Sequence, residues 1–303
     1  MGHRPPRSGL VPSLGVTQLV EIERQTLVAN FPRESFPVTH HLVDHPLMTV
    51  DALADLADAL PIEEVEHNYG DLPEVLPGGQ VERADLGPGD MVRGLDSNQC
   101  WMALKQIQVI PEYNRLLDEC LDDVAPYVND TEGGMAKRVG FIFLSCPNSV
   151  TPAHFDPEHN FLLQVRGTKQ MRVGRWPSVE AEQLEAERYF GGSDGTYGGH
   201  RNVMELPSSL TDYALGPGDG CYVPFGAPHW VQNGPTVSYS LSITWKTPFT
   251  MRAERVHAFN RRLRRLGLKP APPGRSERVD KAKAAAVEAW GRANDRLRPH
   301  RKS

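Results

Sequence analysis

Two histidines and one aspartate in this sequence could hold a metal ion. His154 and Asp156 are separated by a single residue, and residues i and i+2 of a strand project from the same face. His229, which follows a Pro-Gly-Asp turn and a short apolar run, could supply a third ligand from a distant strand. Two histidines and one carboxylate cover one side of an octahedral Fe(II) and leave positions open for a cosubstrate and O₂. A closed structural zinc site would require four ligands.

A lysine follows the first two candidate ligands. Residues 161–165 and 170–173 are rich in strand-forming residues, and the Gly-Thr step between them predicts a two-residue hairpin in which Arg166 and Lys169 share a face. Counted by twos, that face also holds Asn160, Leu162, Gln164, Met171 and Val173. A lysine on a largely apolar inward face needs an anionic partner, because burial of an unpaired charge is costly. A dicarboxylate cosubstrate would be such a partner.

The predicted elements that position these residues form a barrel. Between residues 138 and 247, short runs rich in Val, Ile, Phe, Tyr and Thr alternate with turn signals, which is typical of a β-sandwich or barrel. The length of 303 residues is compatible with one large domain. An insertion at 178–211 interrupts the pattern, and its glycine-rich part at 191–199 suggests a substrate-gating lid.

Helices are predicted to precede the barrel. Residues 1–12 are rich in Pro, Gly and Arg and predict a disordered lead-in, while 13–137 predict a mainly helical region with a short strand at 36–42. Thr49 is a suitable N-cap for one helix, and Pro111 suits the first turn of another. A further helix is predicted from the apolar spacing of Trp101, Leu104 and Ile107.

The C-terminal region, 248–303, predicts two helices with an unusual charge. Residues 252–303 carry 16 Lys and Arg against 5 Asp and Glu, a net charge of +11, while the rest of the chain carries −16. The arginine-rich stretch 261–265 invites a nucleic-acid interpretation. An apolar helical stripe instead favours a packed or dimerising helix, so nucleic acid is not the expected partner. The stripe consists of Val256, Phe259, Leu263 and Leu266.

Composition excludes other classes. No stretch approaches the roughly 18 to 20 apolar residues of a membrane span, and the N-terminus lacks the apolar core of a signal peptide, so a cytoplasmic protein without membrane contact is expected. The four cysteines form no CxxC pair, which predicts free, mostly buried thiols. They are Cys100, Cys120, Cys146 and Cys221.

The combination of motifs resembles the cupin-like Jumonji C (JmjC) oxygenases, which depend on Fe(II) and 2-oxoglutarate. The motifs are His154-Phe155-Asp156, Asn160, Arg166-Gly167-Thr168-Lys169, Pro217-Gly218-Asp219 and Pro228-His229-Trp230. The nearest pattern is that of the asparaginyl hydroxylase acting on hypoxia-inducible factor. The resemblance covers residues 138–247 and implies a mainly β fold, a double-stranded β-helix with N-terminal helices and a C-terminal helical extension that dimerises.

The resemblance also implies residue roles. Three residues would bind Fe(II), namely His154, Asp156 and His229. Four would bind 2-oxoglutarate, namely Lys169, Thr151, Asn160 and Ser242. Strand parity lets Thr151 reach the site only if the chain bends at Pro152, and Ser242 stands where the family has an asparagine. The implied reaction uses O₂ to hydroxylate a C–H bond of a protein side chain or small molecule and releases succinate and CO₂.

Other interpretations remain open. His154 and Asp156 could form a local hydrogen-bonded pair, and His229 could be a core histidine beside Trp230. His159 could compete as a ligand, although it lies three positions after Asp156 and so off the ligand face. At the level of function, the rivals are another metal-dependent cupin dioxygenase and a non-catalytic cupin that binds a small ligand and signals through its basic tail.

Overall fold

Strands from both halves of the chain build two facing sheets. The structure is a computed structural model that describes residues 18–69, 87–95, 100–191 and 209–297. The larger sheet contains Val20–Glu21 (β1), Phe36–His40 (β2), Val65–Tyr69 (β3), Cys100–Leu104 (β4), Ala136–Ser145 (β5), His159–Arg166 (β7), Asp219–Val223 (β10) and Ser238–Lys246 (β12). The smaller sheet contains Val150–His154 (β6), Lys169–Arg175 (β8), Ser209–Leu215 (β9) and His229–Asn233 (β11).

The strand order produces a double-stranded β-helix, as predicted. The larger sheet runs β1-β2-β10-β7-β12-β5-β4-β3 and the smaller one β6-β11-β8-β9, and every strand pair is antiparallel. The chain therefore passes repeatedly from one sheet to the other. Strand β12 lies between β5 and β7 at the centre of the larger sheet, and its serines face the interior of the barrel near the pocket described below.

Eight helices flank the sheets within the described residues. They are Arg24–Asn30 (α1), Val50–Ala59 (α2), Pro88–Arg93 (α3), Pro111–Leu121 (α4), Ala125–Glu132 (α5), Val179–Phe190 (α6), Pro248–Arg265 (α7) and Glu277–Leu297 (α8). Thr49 caps α2 by accepting a hydrogen bond from the Ala52 amide, and Pro111 occupies the first turn of α4, so both predictions are confirmed. The two predicted C-terminal helices are also present as α7 and α8.

The region before the barrel is less helical than predicted, because it also supplies strands β1 to β4. The helix predicted from Trp101, Leu104 and Ile107 is wrong over its first half, where β4 pairs with β3 and β5. Met102 and Leu104 are buried in the core, while Trp101 faces the pocket, so the alternation of a strand governs this segment. Backbone pairing with β5 overrides the helical spacing.

The hairpin predicted at Gly167 is also wrong. Strand β7 pairs with β10 and β12, whereas β8 pairs with β9 and β11, so the two strands belong to different sheets. Gly167 adopts a φ of +73° in the crossover, where a Cβ would lie 2.4 Å from the Val237 carbonyl oxygen. Lys169 therefore points inward while Arg166 lies outside over the Tyr239 ring, and the two do not share a face.

Two apolar clusters hold the barrel together. The larger lies between the eight-stranded sheet and the N-terminal helices and includes the fully buried Trp245. The smaller lies between the two sheets and includes Met171 and Cys221. The free thiols of Cys120, Cys146 and Cys221 are buried, as predicted. Two predicted segments lie outside the described residues. They are the disordered lead-in at 1–12 and most of the lid, at 192–199.

Candidate metal centre and adjoining pocket

Paired strands bring the three predicted metal ligands together. His154 ends β6 directly opposite His229, which begins β11, and Asp156 follows two residues after His154. Asp156 Oδ2 lies 3.5 Å from His229 Nε2 and 3.9 Å from His154 Nε2. The three ligand atoms, one from each residue, all lie within 4.8 Å of one another. Among the described residues, the cluster consists of these three side chains. The spacing of the cluster suits a single ion.

Backbone carbonyls orient both imidazoles. His154 Nδ1 lies 2.8 Å from the Pro152 carbonyl oxygen, and His229 Nδ1 lies 2.9 Å from that of Ala227. A carbonyl oxygen can only accept, so Nδ1 carries the proton in each ring, and Nε2, which carries the lone pair, faces the cluster. Burial, and secondly the neighbouring His229, lower the pKa of His154 and favour the neutral form that binds metals. Two neutral imidazoles and one carboxylate fit Fe(II) with open positions.

A bulge in β6 brings Thr151 to the pocket. His229 pairs with His154 but Val231 pairs with Thr151, so two residues of β6, Pro152 and Ala153, lie opposite the single residue Trp230 of β11. The extra residue reverses the strand parity, and Thr151 lines the same cavity as His154. The bend that the sequence required at Pro152 is therefore present. The contact of Thr151 with a cosubstrate remains a prediction.

Lys169 lies deep in the same cavity. It is 5% exposed, and its only hydrogen-bond partner among the described residues is the Ser240 hydroxyl. Burial lowers its pKa to about 8. No carboxylate of the described chain pairs with this ammonium, so the buried charge is compensated by the protein only through a neutral hydroxyl. Such an arrangement favours an anionic ligand.

Asn160 and Ser242 lie on neighbouring strands of the larger sheet and line the cavity. Ser242 Oγ donates a hydrogen bond to Asn160 Oδ1 at 2.8 Å. Ser242 is one of three serines that alternate along β12, with Ser238 and Ser240. This alternation was visible in the sequence as an inward polar face, a signal that could have identified Ser240 as well.

The cavity has a volume of about 370 Å³ and partly aromatic walls. Phe141 and Phe143 stack with ring centroids 6.3 Å apart, and Trp101 stacks on Phe143 at 6.5 Å. Glu158 lines the cavity and lies 3.7 Å from Lys246, while burial raises its pKa. The aromatic wall was not predicted, because Trp101 was assigned to a helix. The alternation of Phe141, Phe143 and Ser145 in β5 could have indicated it.

His159 is not part of the cluster. It is 1% exposed, and its ring nitrogens lie 2.7 Å from the Tyr222 hydroxyl and 3.0 Å from Glu132. Its side chain stacks on Trp245 at the core, on the other side of the strand from Asn160. Strand parity therefore excludes His159 as a competing ligand, as the spacing suggested. Trp230 is half-buried beneath Arg172, with the guanidinium 5.5 Å from the ring centroid.

Comparison with known proteins finds one matching domain family and a relative of similar sequence. Residues 135–251 match the JmjC domain family. The JmjC domain-containing protein F of Dictyostelium discoideum is 29% identical over 126 residues, which cover 34% of this chain and 26% of that protein. This chain thus spans about a quarter of the length of that relative.

Solved structures share the fold. The crystal structure of the ribosomal oxygenase YcfD of Escherichia coli matches with a TM-score of 0.50 and 15% identity, covering 89% of this chain and 67% of that one. A second X-ray structure of YcfD from E. coli matches with a TM-score of 0.50 and 17% identity, covering 89% and 68%. Within the described residues, none of the helices combines the length and apolar character needed to span a membrane.

Proposed function

Because residues 135–251 match the JmjC domain family, we propose that this protein is an Fe(II)- and 2-oxoglutarate-dependent oxygenase that hydroxylates a C–H bond. The proposal is supported by the three-residue cluster, whose donor set suits Fe(II) with open positions. It is also supported by the double-stranded β-helix, which carries the cluster and Lys169 in one cavity.

One observation carries the proposal. Lys169 is buried in the cavity that holds His154, Asp156 and His229, and no carboxylate among the described residues pairs with it. A bidentate metal ligand with an anionic far end would satisfy both the open metal positions and the lysine. 2-Oxoglutarate has this shape, because its 2-oxo acid group chelates and its distal carboxylate can reach a cation.

The residues of the chain then have separate tasks. His154, Asp156 and His229 hold Fe(II) through two imidazole Nε2 atoms and a carboxylate oxygen, and Lys169 binds the distal carboxylate. Thr151, Asn160 and Ser242 line the cavity and complete the cosubstrate site. When bound, Fe(II) supplies the oxidising chemistry in which O₂ places one oxygen atom in succinate, formed with CO₂, and one in the hydroxylated product.

The volume and walls of the cavity limit which substrate can bind beside the cosubstrate. Its volume of about 370 Å³ accommodates a cosubstrate together with a group the size of one side chain, so the substrate is a protein side chain or a small molecule. The wall residue Lys105 pairs with Glu66, and the wall residue Glu158 shares Lys246 with Glu254, so each of these two lysines has a carboxylate partner. The half-buried aromatic rings offer apolar contact to the group that reacts.

An anaerobic titration tests this function. Addition of Fe(II) and then 2-oxoglutarate to the purified protein should produce the visible charge-transfer band of the chelated complex. We expect the band to be lost in His154→Ala and to need at least about tenfold more 2-oxoglutarate in Lys169→Ala. Lys283→Ala, which removes another buried lysine outside the cavity, is the matched control and should keep the band.

The rival functions give different results. Another metal-dependent cupin dioxygenase would bind metal without producing the charge-transfer band, and its activity would be unaffected by Lys169→Ala. Absence of metal binding at micromolar Fe(II) would indicate a ligand-binding cupin without catalysis. The orientation of both imidazoles by backbone carbonyls argues against that second alternative, because a binding module has no need of two preset metal-facing nitrogens.

A homodimer built on α7 and α8 is also proposed. Trp290 on α8 is 59% exposed and lies under the Arg262 guanidinium, while Leu266, at the end of α7, is 77% exposed. Large apolar side chains on neighbouring helix surfaces are common in subunit interfaces. The net charge of +11 in residues 252–303 complements the −16 of the remaining chain, which favours a second copy as the partner.

A further inference from the structure

A chain of buried hydrogen bonds connects Lys169 to a glutamine in the opposite sheet. Ser240 Oγ accepts a hydrogen bond from the Lys169 ammonium and lies 2.9 Å from Gln164 Oε1. Gln164 Nε2 donates to the Arg166 carbonyl oxygen at 2.6 Å and to Ser238 Oγ at 2.9 Å. Gln164, Ser238 and Ser240 are at most 1% exposed, so these groups satisfy one another without bulk water.

We infer that Gln164 and Ser240 are positioning residues that direct Lys169 Nζ toward the anionic end of a ligand in the cavity. Neither Gln164 nor Ser240 lines the cavity, so each acts through Lys169. The inference rests on the proposed 2-oxoglutarate dependence and deepens it, because it assigns the orientation of the lysine to a buried amide in the opposite sheet.

The direction of each hydrogen bond in this series follows from the Arg166 carbonyl oxygen, where the series ends. The Arg166 carbonyl oxygen can only accept, so the amide nitrogen of Gln164 must face it. Gln164 Oε1 then faces Ser240 and accepts the single hydroxyl hydrogen of that serine. Ser240 Oγ is left with lone pairs alone, which accept from Lys169. The glutamine thus takes the only hydroxyl hydrogen of Ser240, and the serine lone pairs face the lysine.

Two consequences for Lys169 follow. One N–H of the ammonium is held by Ser240, and two remain for a ligand, which matches the two oxygens of a carboxylate. Ser240 offers only lone pairs to Lys169, and an acceptor stabilises the ammonium, the stronger donor, more than the neutral amine. The nearby Cys221 thiol has a pKa raised to about 12 by burial, stays neutral and supplies no counter-charge. The anion must come from the ligand.

Two ligands that differ only at the far end test the inference. 2-Oxopentanoate has the five-carbon chain of 2-oxoglutarate with a methyl group in place of the distal carboxylate. Binding of each to the Fe(II)-loaded protein is measured by anaerobic calorimetry for the wild type, Gln164→Leu and Ser240→Ala. Gln183→Leu is the matched control, since Gln183 is another buried glutamine, on α6 and away from the cavity.

We expect Gln164→Leu and Ser240→Ala to weaken 2-oxoglutarate by about tenfold, which is the loss typical of one hydrogen bond to a charged group. The affinity for 2-oxopentanoate should change by less than about twofold, because this ligand does not use Lys169. The preference for 2-oxoglutarate over 2-oxopentanoate therefore shrinks in both variants. Gln183→Leu should retain the preference of the wild type.

The outcomes separate the inference from the function beneath it. Equal weakening of both ligands, or an unchanged preference in Ser240→Ala, would overturn the positioning role alone. Ser240→Ala removes a single hydroxyl, so it decides the matter even where Gln164→Leu does not fold. A wild type that binds 2-oxoglutarate no more tightly than 2-oxopentanoate would overturn the proposed function, and the inference with it.

Discussion

His154 on β6 lies directly opposite His229 on β11, and their ring centroids are 4.3 Å apart. The antiparallel pairing of the two strands sets this distance, because the side chains project from paired positions on one face. Asp156 then needs only the turn after β6 to bring its carboxylate to within 3.9 Å of both Nε2 atoms. The positions of the candidate ligands are therefore set by backbone pairing.

Removal of either histidine should strongly weaken metal binding. Loss of a residue that hydrogen-bonds to a metal ligand typically weakens metal binding by roughly 10- to 100-fold. We expect His229→Ala to weaken Fe(II) binding by more than this, because the variant loses a ligand itself. Bound iron is measured by elemental analysis after anaerobic loading. His41→Ala, which removes an exposed histidine paired with Glu21, is the control and should bind iron normally. Retention of iron by His229→Ala would contradict the assignment.

Cosubstrate affinity should fall at alkaline pH. Burial lowers the pKa of Lys169 to about 8, so the free protein loses the ammonium charge as the pH rises through that value. The apparent Kd for 2-oxoglutarate is expected to increase by about tenfold between pH 7 and pH 9, since the protonated fraction falls by that factor. The affinity for 2-oxopentanoate, measured in parallel, should be flat. Equal pH dependence for both ligands would exclude Lys169 as the titrating group.

Acid should destabilise the contact between α6 and α7 through His257. Burial, and secondly Lys283, lower the pKa of His257 to about 4, and its Nδ1 has no hydrogen-bond partner among the described residues. The unfolded state therefore binds more protons between pH 6.5 and 4, so stability is complete above pH 6.5 and declines as the pH falls toward 4. The loss attributable to this group is about 2–3 kcal/mol at pH 4.5.

Urea unfolding at pH 7 and pH 4.5 measures this effect. His257→Phe should show a smaller loss of unfolding free energy between the two values than the wild type, because phenylalanine cannot take up the proton and can keep the stacking on Phe190. The exposed His41→Ala variant should match the wild type. Identical acid sensitivity in His257→Phe and wild type would refute the assignment.

A glycine in β10 should tolerate no side chain. A Cβ at Gly220 would lie 2.7 Å from the Leu162 carbonyl oxygen and 2.8 Å from side-chain atoms of Leu163 and Val38. We expect Gly220→Ala to reduce the free energy of unfolding by about 1–3 kcal/mol, the usual cost of overpacking. Gly87→Ala, where a Cβ meets nothing within 4 Å, should change it by less than about 0.5 kcal/mol. Equal stability of the two variants in thermal or urea unfolding would be the contrary result.

Disruption of the proposed dimer should be measurable as a decrease in molecular mass. Trp290→Arg places a charge beside Arg262 at the exposed apolar surface and should convert a dimer to a monomer in size-exclusion chromatography with light scattering. Ile62→Arg alters another exposed apolar residue, 58% exposed and distant in sequence from the C-terminal helices, and should leave the dimer intact. A wild-type chain that is monomeric at micromolar concentration would exclude the dimer.

The sequence alone determined the three candidate metal ligands and the class of fold. His154 and Asp156 are two residues apart, which predicted that their side chains share a face, although β6 ends at His154 and Asp156 lies in the turn that follows. The turn before His229 marked the element of the third residue, and the combination of these motifs predicted that the three side chains converge. The α2 and α4 helices were predicted for the same reason, because caps and proline positions act within a few residues. These features depend on neighbours along the chain.

Only the tertiary structure decided which strands pair, and the pocket depends on that choice. The Gly-Thr step between Arg166 and Lys169 could close a hairpin or cross to the other sheet, and a local pattern does not distinguish the two. The crossover sends Lys169 inward and Arg166 outward, the bulge in β6 turns Thr151 toward the cavity, and pairing with β5 makes a strand of residues 100–104. Each outcome is set by hydrogen-bond partners distant in sequence, which is why composition and periodicity could not predict it.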